Sequence, residues 1–138
     1  MAKRTKTMSA MVAVAMALAG TVFAAEIGSY PSVVEHLSVS KNTQLHVREF
    51  WKSSQGQEAT WSAEVIDVQG GRKGRVKILA ADKSQPTFKG YNIVLVSSDV
   101  AKAADMKRGQ KIRFKGILKE YAAKNSAVVI ELSDVQIL

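Results

Sequence analysis

The chain has 138 residues, no cysteine and a formal net charge of +8. Without cysteine, disulfides, metal–thiolate sites and cysteine nucleophiles are excluded, and a small domain must be held together by burial alone. Apolar residues at 46% and charged residues at 23% are typical of a soluble globular protein, so the composition does not indicate disorder.

The first 25 residues have the three-part order of a secretory signal peptide. A basic head with Lys3, Arg4 and Lys6 precedes an apolar run from Met8 to Ala19, and small residues follow up to Ala25. The run is short and rich in alanine for a membrane span, which takes about 20 residues. We therefore expect residues 1–25 to be cleaved, with a retained anchor as the alternative. The predicted location is periplasmic or secreted from a bacterium, with no membrane span after cleavage.

Three of the 20 basic residues lie in this leader and none of the 12 acidic ones does, so the remainder carries a charge of about +5. The remainder has the length of one domain with a modest core. This mildly basic net charge is compatible with an anionic partner. It is much lower than the net charge of a polyelectrolyte.

Residues 26–56 are predicted as a partly helical N-terminal extension. A capping-box pattern near its start predicts only one or two helical turns, because β-branched residues follow. The segment from Thr43 to Ser53 fits either a helix or a strand in which Leu45 and Val47 share a face. We favour the helix, which turns three residues toward the core: Leu45, Phe50 and Trp51.

From residue 57 onward, alternation of apolar and polar residues predicts five strands. They are Thr60–Val68, Arg75–Ala81, Tyr91–Ser97, Lys111–Tyr121 and Val128–Leu138. A short helix, capped at Ser98–Asp99, running to about Met106 and closed by Gly109, is predicted between the third and fourth strands. Gly116 within the fourth strand predicts a bulge or tight bend. Trp61 and Phe114 fall on the inward faces.

The order β-β-β-α-β-β is that of the OB-fold, a five-stranded Greek-key barrel. The stretch Lys107–Gly116 and the closing strand Leu132–Leu138 resemble the second half of exported bacterial OB-fold proteins, periplasmic barrels of the tRNA-anticodon-binding type. Trp61–Val68 is similar to their first strand, although Ala63 stands where glycine is common. The resemblance implies a mainly β protein with an OB-fold-like barrel over residues 57–138 and a helical extension before it. It implies little about the ligand.

OB-folds tend to bind ligands on strands 2 and 3, between the loops that join strands 1–2 and strands 4–5. Here Arg72 and Lys73 fall in the first loop and Lys124 in the second. The other candidate ligand-binding residues are Arg75 and Lys77 on strand 2, Lys111, Arg113 and Lys115 on strand 4, and Tyr91 and Tyr121 at strand ends. Such cations attract anionic polymers, but the alternative is a solvated face that keeps a small β protein soluble.

The chain is predicted to be a non-catalytic binding module that docks an envelope protein or an anionic polymer on the barrel face. Single-stranded nucleic acid is the second hypothesis, since Phe88, Tyr91 and Tyr121 offer a thin stacking platform. A secreted nuclease-like enzyme is the third: Glu64, Asp67 and Arg75 approximate a catalytic set, but its Asp-rich signature is missing. The glycine-rich turn at 70–74 lacks the Gly-Lys-Ser/Thr ending of a phosphate loop.

No cofactor or metal is predicted. His36 and His46 are ten residues apart in the least regular region, without a third ligand at close spacing. We expect both to be surface residues.

Overall fold

A computed structural model of the protein describes residues 27–138, so the leader predicted over residues 1–25 lies outside the described part. The helices and strands of that part are α1 Tyr30–Leu37, α2 Gln44–Ser54, β1 Glu58–Gly70, β2 Val76–Ala81, β3 Ile93–Ser97, α3 Val100–Ala104, β4 Lys111–Lys124 and β5 Ala127–Ile137. Between residues 27 and 138 there is no helix of the length and apolarity that a membrane span requires.

The five strands close into a barrel in the order β1-β2-β3-β5-β4. Neighbouring strands are antiparallel except β3 and β5, which run parallel. The long strand β4 closes the barrel, because its first half pairs with β1 and its length from Phe114 to Lys124 pairs with β5. The predicted fold class is confirmed: a mainly β, five-stranded barrel with a helix between its third and fourth strands and helices before it.

Gly116 is the position at which β4 bends, as the sequence predicts. The pairing of β4 with β5 shifts register between Lys115 and Ile117. A β-carbon built on Gly116 would lie 2.8 Å from Val135 Cγ2 and 3.2 Å from Leu132 Cβ. Only glycine lets the two strands approach this closely.

Inward-facing residues of the strands form one core together with α1 and α2. Trp61 and Phe114 are both buried in it, as predicted. From α1, Tyr30 enters this core, packs edge-on against Trp61 with ring centroids 5.6 Å apart, and donates its hydroxyl to the Val128 carbonyl at 2.6 Å. Burial, and to a smaller extent the charge of Asp82, raises the pKa of the Tyr30 hydroxyl above its ordinary value of 10.0.

The segment predicted as helix or strand is the helix α2, but its orientation differs from the prediction. Leu45 is 57% exposed, whereas Val47 is 5% exposed and belongs to the core. Phe50 and Trp51 are half-buried against the core. Val47 precedes Phe50 by three residues and Trp51 by four, so helical geometry places these three residues on one face and Leu45 off it. Trp51 also packs edge-on against Tyr121, with ring centroids 4.9 Å apart.

Two predicted boundaries are wrong. The polar loop expected between the last strands is a two-residue turn, since Lys124 pairs with Ala127 and Asn125 has the positive φ of 58° that a tight hairpin requires. The helix before β4 ends at Ala104, so Gly109 does not close it. Gly109, at φ 84°, instead donates its N–H to the Val65 carbonyl at 2.8 Å.

Candidate ligand-binding face

The outer face of the barrel carries a recess of about 650 Å³, which we call the barrel groove. Its floor is apolar, with Leu79, Val94 and Val129 contributed by β2, β3 and β5. These side chains are at outward positions of paired strands; Leu79 lies directly opposite Val94. An apolar floor with a polar rim is the usual construction of a binding site, and this one lies where OB-folds bind ligands.

The rim of the barrel groove contains both signs of charge. Arg108 contacts Asp67, with Nη2 3.1 Å from Oδ1, and Lys119 contacts Glu131, with Nζ 3.4 Å from Oε2. Each of these carboxylates on the rim therefore already has a cation beside it. Exposed pairs of this kind add little stability, but they offset much of the groove's charge.

A second recess, of about 520 Å³, adjoins the groove and shares Gln69 and Lys77 with it. Five cations line it, which we call the cation cluster: Arg72, Lys73, Arg75, Lys77 and Lys119. Among the described residues that line this recess there is no Asp or Glu. Within residues 27–138, four of these cations form no ion pair: Arg72, Lys73, Arg75 and Lys77. The electrostatic potential is therefore concentrated at one end of the binding face.

The β1–β2 turn brings three of these cations together. Gly71 donates its N–H to the Arg75 carbonyl at 2.8 Å, and a β-carbon at Gly71 would lie 2.8 Å from that same oxygen. Lys73 and Gly74 follow in the left-handed region, with φ of 54° and 74°. The predicted hairpin turn is confirmed, and it holds Arg72, Lys73 and Arg75 on one exposed loop.

Lys119 joins the cluster through an irregularity in β4. The register of β4 against β5 shifts between Leu118 and Glu120, so Lys119 is the extra residue of a bulge. The alternation pattern shows that this lysine faces outward, but it cannot show that the bulge turns it toward Lys77 and Arg75. Sequence reasoning therefore left it out of the site.

An aromatic pair lies at the opposite end of the groove. Phe88 and Tyr91 contact edge to face, with ring centroids 6.0 Å apart. The ammonium groups of Lys89 and Lys124 lie 5.3 Å and 5.0 Å from the Phe88 ring centroid. Tyr91 lines the groove and is half-buried. Phe88 is one of the rings that the sequence offers for stacking, but neither it nor Lys89 is among the predicted site residues.

The ten predicted site residues fall into three places. Lys77, Tyr91, Tyr121 and Lys124 line the barrel groove. Arg72, Lys73, Arg75 and again Lys77 line the second recess. Lys111, Arg113 and Lys115 line neither; they lie opposite Glu64, Ser62 and Thr60 along the pairing of β4 with the first half of β1. The structure thus separates the lysine-rich half of β4 from the groove.

Two of the residues considered for catalysis are carboxylates in ion pairs with neighbouring cations. Glu64 contacts Lys83 at 2.9 Å, and Asp67 contacts Arg108, so each carboxylate is paired with a cation. In the described range 27–138, no three His, Cys, Asp or Glu side chains cluster in a way that could hold a metal ion. His36 and His46 are exposed, as predicted, but they lie side by side.

No protein-family model and no curated protein matches the chain. Among solved structures it is similar to a candidate nucleic acid-binding lipoprotein from Klebsiella pneumoniae, at 14% identity and a TM-score of 0.50, over 88% of this chain and 99% of that one. It is also similar to an OBody bound to hen egg-white lysozyme, at 18% identity and a TM-score of 0.43, over 62% of this chain and 84% of that one. A third is fission yeast Pot1 with single-stranded DNA, at 10% identity and a TM-score of 0.41, over 68% and 43% of the two chains.

At these identities a likeness concerns the fold alone, and of the three structures the lipoprotein reaches a TM-score of 0.50. It matches over nearly its whole length. Together with the closed strand order β1-β2-β3-β5-β4, it shows that residues 58–137 form an OB-fold-like barrel with helices at its N-terminal side.

Proposed function

We propose that the protein is an exported, non-catalytic binding module that takes an extended anionic polymer across its barrel face. The observation that carries this proposal is the cation cluster, in which five basic side chains surround one recess without a lining carboxylate. Like charges gathered on an exposed turn repel one another in the free protein, and an anionic ligand relieves that repulsion.

The barrel groove supplies the second part of the binding face. It continues from the cluster through Gln69 and Lys77 to Tyr91 and Lys124. An anionic group would lie in the cluster, and the following units of the polymer would pack on Leu79, Val94 and Val129. Because the rim cations of the groove are partly paired, the cluster contributes most of the electrostatic attraction.

A salt titration tests the proposal. For a flexible polyanion, the slope of log affinity against log salt is roughly −0.7 for each neutralised charge, so the four unpaired cations predict a slope of about −3. Replacing Arg72, Lys73 and Arg75 by Gln together should flatten the slope by about 2 units and weaken binding. The measurement is fluorescence anisotropy of a labelled heparin oligosaccharide at several salt concentrations.

The chain offers a matched control. Replacing Lys111, Arg113 and Lys115 by Gln removes the same charge from a part of β4 that lines neither recess. We expect this variant to keep most of the slope, losing only the general effect of net charge. Equal loss in both variants, or no binding by the unmodified protein at physiological salt, contradicts the proposal.

Single-stranded nucleic acid is the second candidate, and one observation favours it: Tyr91 lies half-buried in the groove beside Phe88. A base that stacks on an aromatic ring contributes about 1–3 kcal/mol. Tyr91→Leu should therefore weaken binding of a labelled oligothymidylate by about fivefold or more and weaken heparin binding less, since heparin offers no base to stack on the ring. An equal effect on both ligands would assign Tyr91 to the polymer site in general.

The sequence also predicts an envelope protein as a partner. This stays a prediction, as does secretion by means of residues 1–25. A cluster of unpaired cations favours the polymer over a protein partner, since protein interfaces are poor in lysine at their centres.

A further inference from the structure

His36 and His46 form a close pair although the sequence separates them by ten positions. His36 is in the last turn of α1 and His46 in the first turn of α2. Their ring nitrogens, Nδ1 of His36 and Nε2 of His46, are 3.1 Å apart. Two nitrogens at this distance share a hydrogen when one ring donates to the other, and they can also share a cation.

The connection between the two helices holds this geometry in place. Asn42 donates its amide to the Glu35 carbonyl at 2.7 Å and to the Ser38 carbonyl at 3.1 Å, at the end of α1. Thr43 then caps α2 by accepting the N–H of His46 at 3.2 Å. The backbone positions of both histidines are therefore fixed by local hydrogen bonds.

The ring of His36 is also oriented. It stacks on Phe50, with ring centroids 4.4 Å apart and planes 9° apart. Phe50 in turn packs against the hydrophobic core. The imidazole therefore lies on a surface that belongs to the core, which restricts its rotation.

We propose that His36 and His46 are the two protein ligands of a binding site for one divalent ion of the copper, nickel and zinc class. Two imidazole nitrogens that bind the same ion at its usual bond length lie about 2.9–3.4 Å apart, which includes the 3.1 Å found here. The ring planes are 16° apart and the centroids 5.3 Å apart, so the two nitrogens face each other and the exposed His46 ring must turn for both to point at one ion. Imidazole is the ligand that these borderline ions prefer, and copper(II) binds most tightly in the series.

The surroundings of the pair fit such an ion. The histidines line a shallow recess of about 470 Å³ whose wall includes Glu49 and Ser53. Because the recess is open, water can fill the remaining coordination positions. The carboxylate of Glu49, three residues after His46 on α2, places negative charge near a bound cation. A bound ion would connect α1 to α2, and this proposal does not depend on the barrel groove.

Titration with copper(II) and zinc(II) tests the site on the untagged protein. We expect one ion per chain, and the variants His36→Gln and His46→Gln should each lower the affinity at least tenfold. Lys52→Gln, which changes an exposed residue of α2 outside the recess, is the control and should stay within twofold. Zinc should raise the melting temperature of the unmodified protein and leave that of either histidine variant unchanged.

A second measurement avoids any dependence on how the variants fold. The chain has two histidines, so its ring-proton spectrum contains two imidazole systems. Substoichiometric copper(II) should broaden both systems before any other side-chain signal. Uptake that persists in both histidine variants, or broadening that begins elsewhere, overturns the proposal. A lack of binding at 100 µM zinc or copper also overturns it and leaves the pair as a hydrogen bond alone.

Discussion

At Gly116 a single missing β-carbon allows β4 to bend across β5 and close the barrel. A β-carbon there would lie 2.8 Å from Val135 Cγ2, a distance that real β-carbons do not adopt, and 3.2 Å from Leu132 Cβ, which is closer than most real contacts. The Ser133 carbonyl oxygen would also lie 3.2 Å away, and because it is a backbone atom, no side-chain movement relieves that contact.

Gly116→Ala should therefore lower the free energy of unfolding by about 1–3 kcal/mol. Urea denaturation at neutral pH measures it, and Gly70→Ala is the control, since no atom lies within 4 Å of a β-carbon built there. We expect the control to change stability by less than about 0.5 kcal/mol. Equal stability of the two variants would show that β5 yields easily at this point.

The buried hydroxyl of Tyr30 should make the free energy of unfolding depend on pH in the alkaline range. Burial keeps its hydroxyl protonated in the folded protein, so the folded pKa is above the ordinary value of 10.0. The free energy of unfolding keeps its full contribution from Tyr30 below about pH 10. It loses that contribution as the pH rises further, because the unfolded chain then releases a proton that the folded chain retains.

Between pH 10 and 11 the free energy of unfolding should fall with a slope that approaches 1.4 kcal/mol per pH unit from this residue. The Tyr30→Phe variant should lack this part of the pH dependence. At pH 7 its free energy of unfolding should be lower by about 1 kcal/mol, because the hydrogen bond to the Val128 carbonyl is lost. Denaturation at several pH values compares the two proteins. Parallel curves for both would mean that Tyr30 ionises normally in the folded state.

Among the elements, α2 shows most clearly where sequence reasoning fails. Its amphipathic pattern is sufficient to predict a helix, but the expected orientation is wrong because it groups Leu45 with Phe50 and Trp51. Spacings of three and four residues put Val47 on the face of Phe50 and Trp51, whereas Leu45, six residues before Trp51, lies off that face. The contact of Trp51 with Tyr121 on β4 joins segments 70 residues apart, and local periodicity does not predict it.

Val47→Ala should cost about 2 kcal/mol, because two buried methyl groups are lost and a small cavity remains. Leu45→Ala should change stability by less than about 0.5 kcal/mol, since Leu45 is 57% exposed. Thermal denaturation of both variants measures the difference. A larger loss for Leu45→Ala would restore the orientation that the sequence alone predicts.

The strands were easier to predict than the site that they carry. Alternation identifies the inward residues of β1 and β4, and Gly116 marks the bend, so the barrel follows from local pattern. The bulge at Lys119 and the proximity of His36 to His46 depend on register and on helix packing. Neither leaves a signal in a single sequence, and both contribute to candidate sites.

For the whole molecule, the distribution of charge matters more than its total. Four basic residues at the β1–β2 turn and the start of β2 have no carboxylate beside them in the described part, whereas Arg108 and Lys119 do. The same charges spread evenly would keep the protein soluble without creating a site. Their concentration at one end of the barrel groove is the feature on which the proposed binding face depends.

Backbone amide shifts during titration with a heparin oligosaccharide test this account most directly, because they locate the ligand. We expect the largest changes at residues 69–77 and at Lys119, with smaller changes at Leu79 and Val94 along the groove. Changes centred on Lys111, Arg113 and Lys115, or on α1 and α2 alone, would contradict a binding site at the cation cluster.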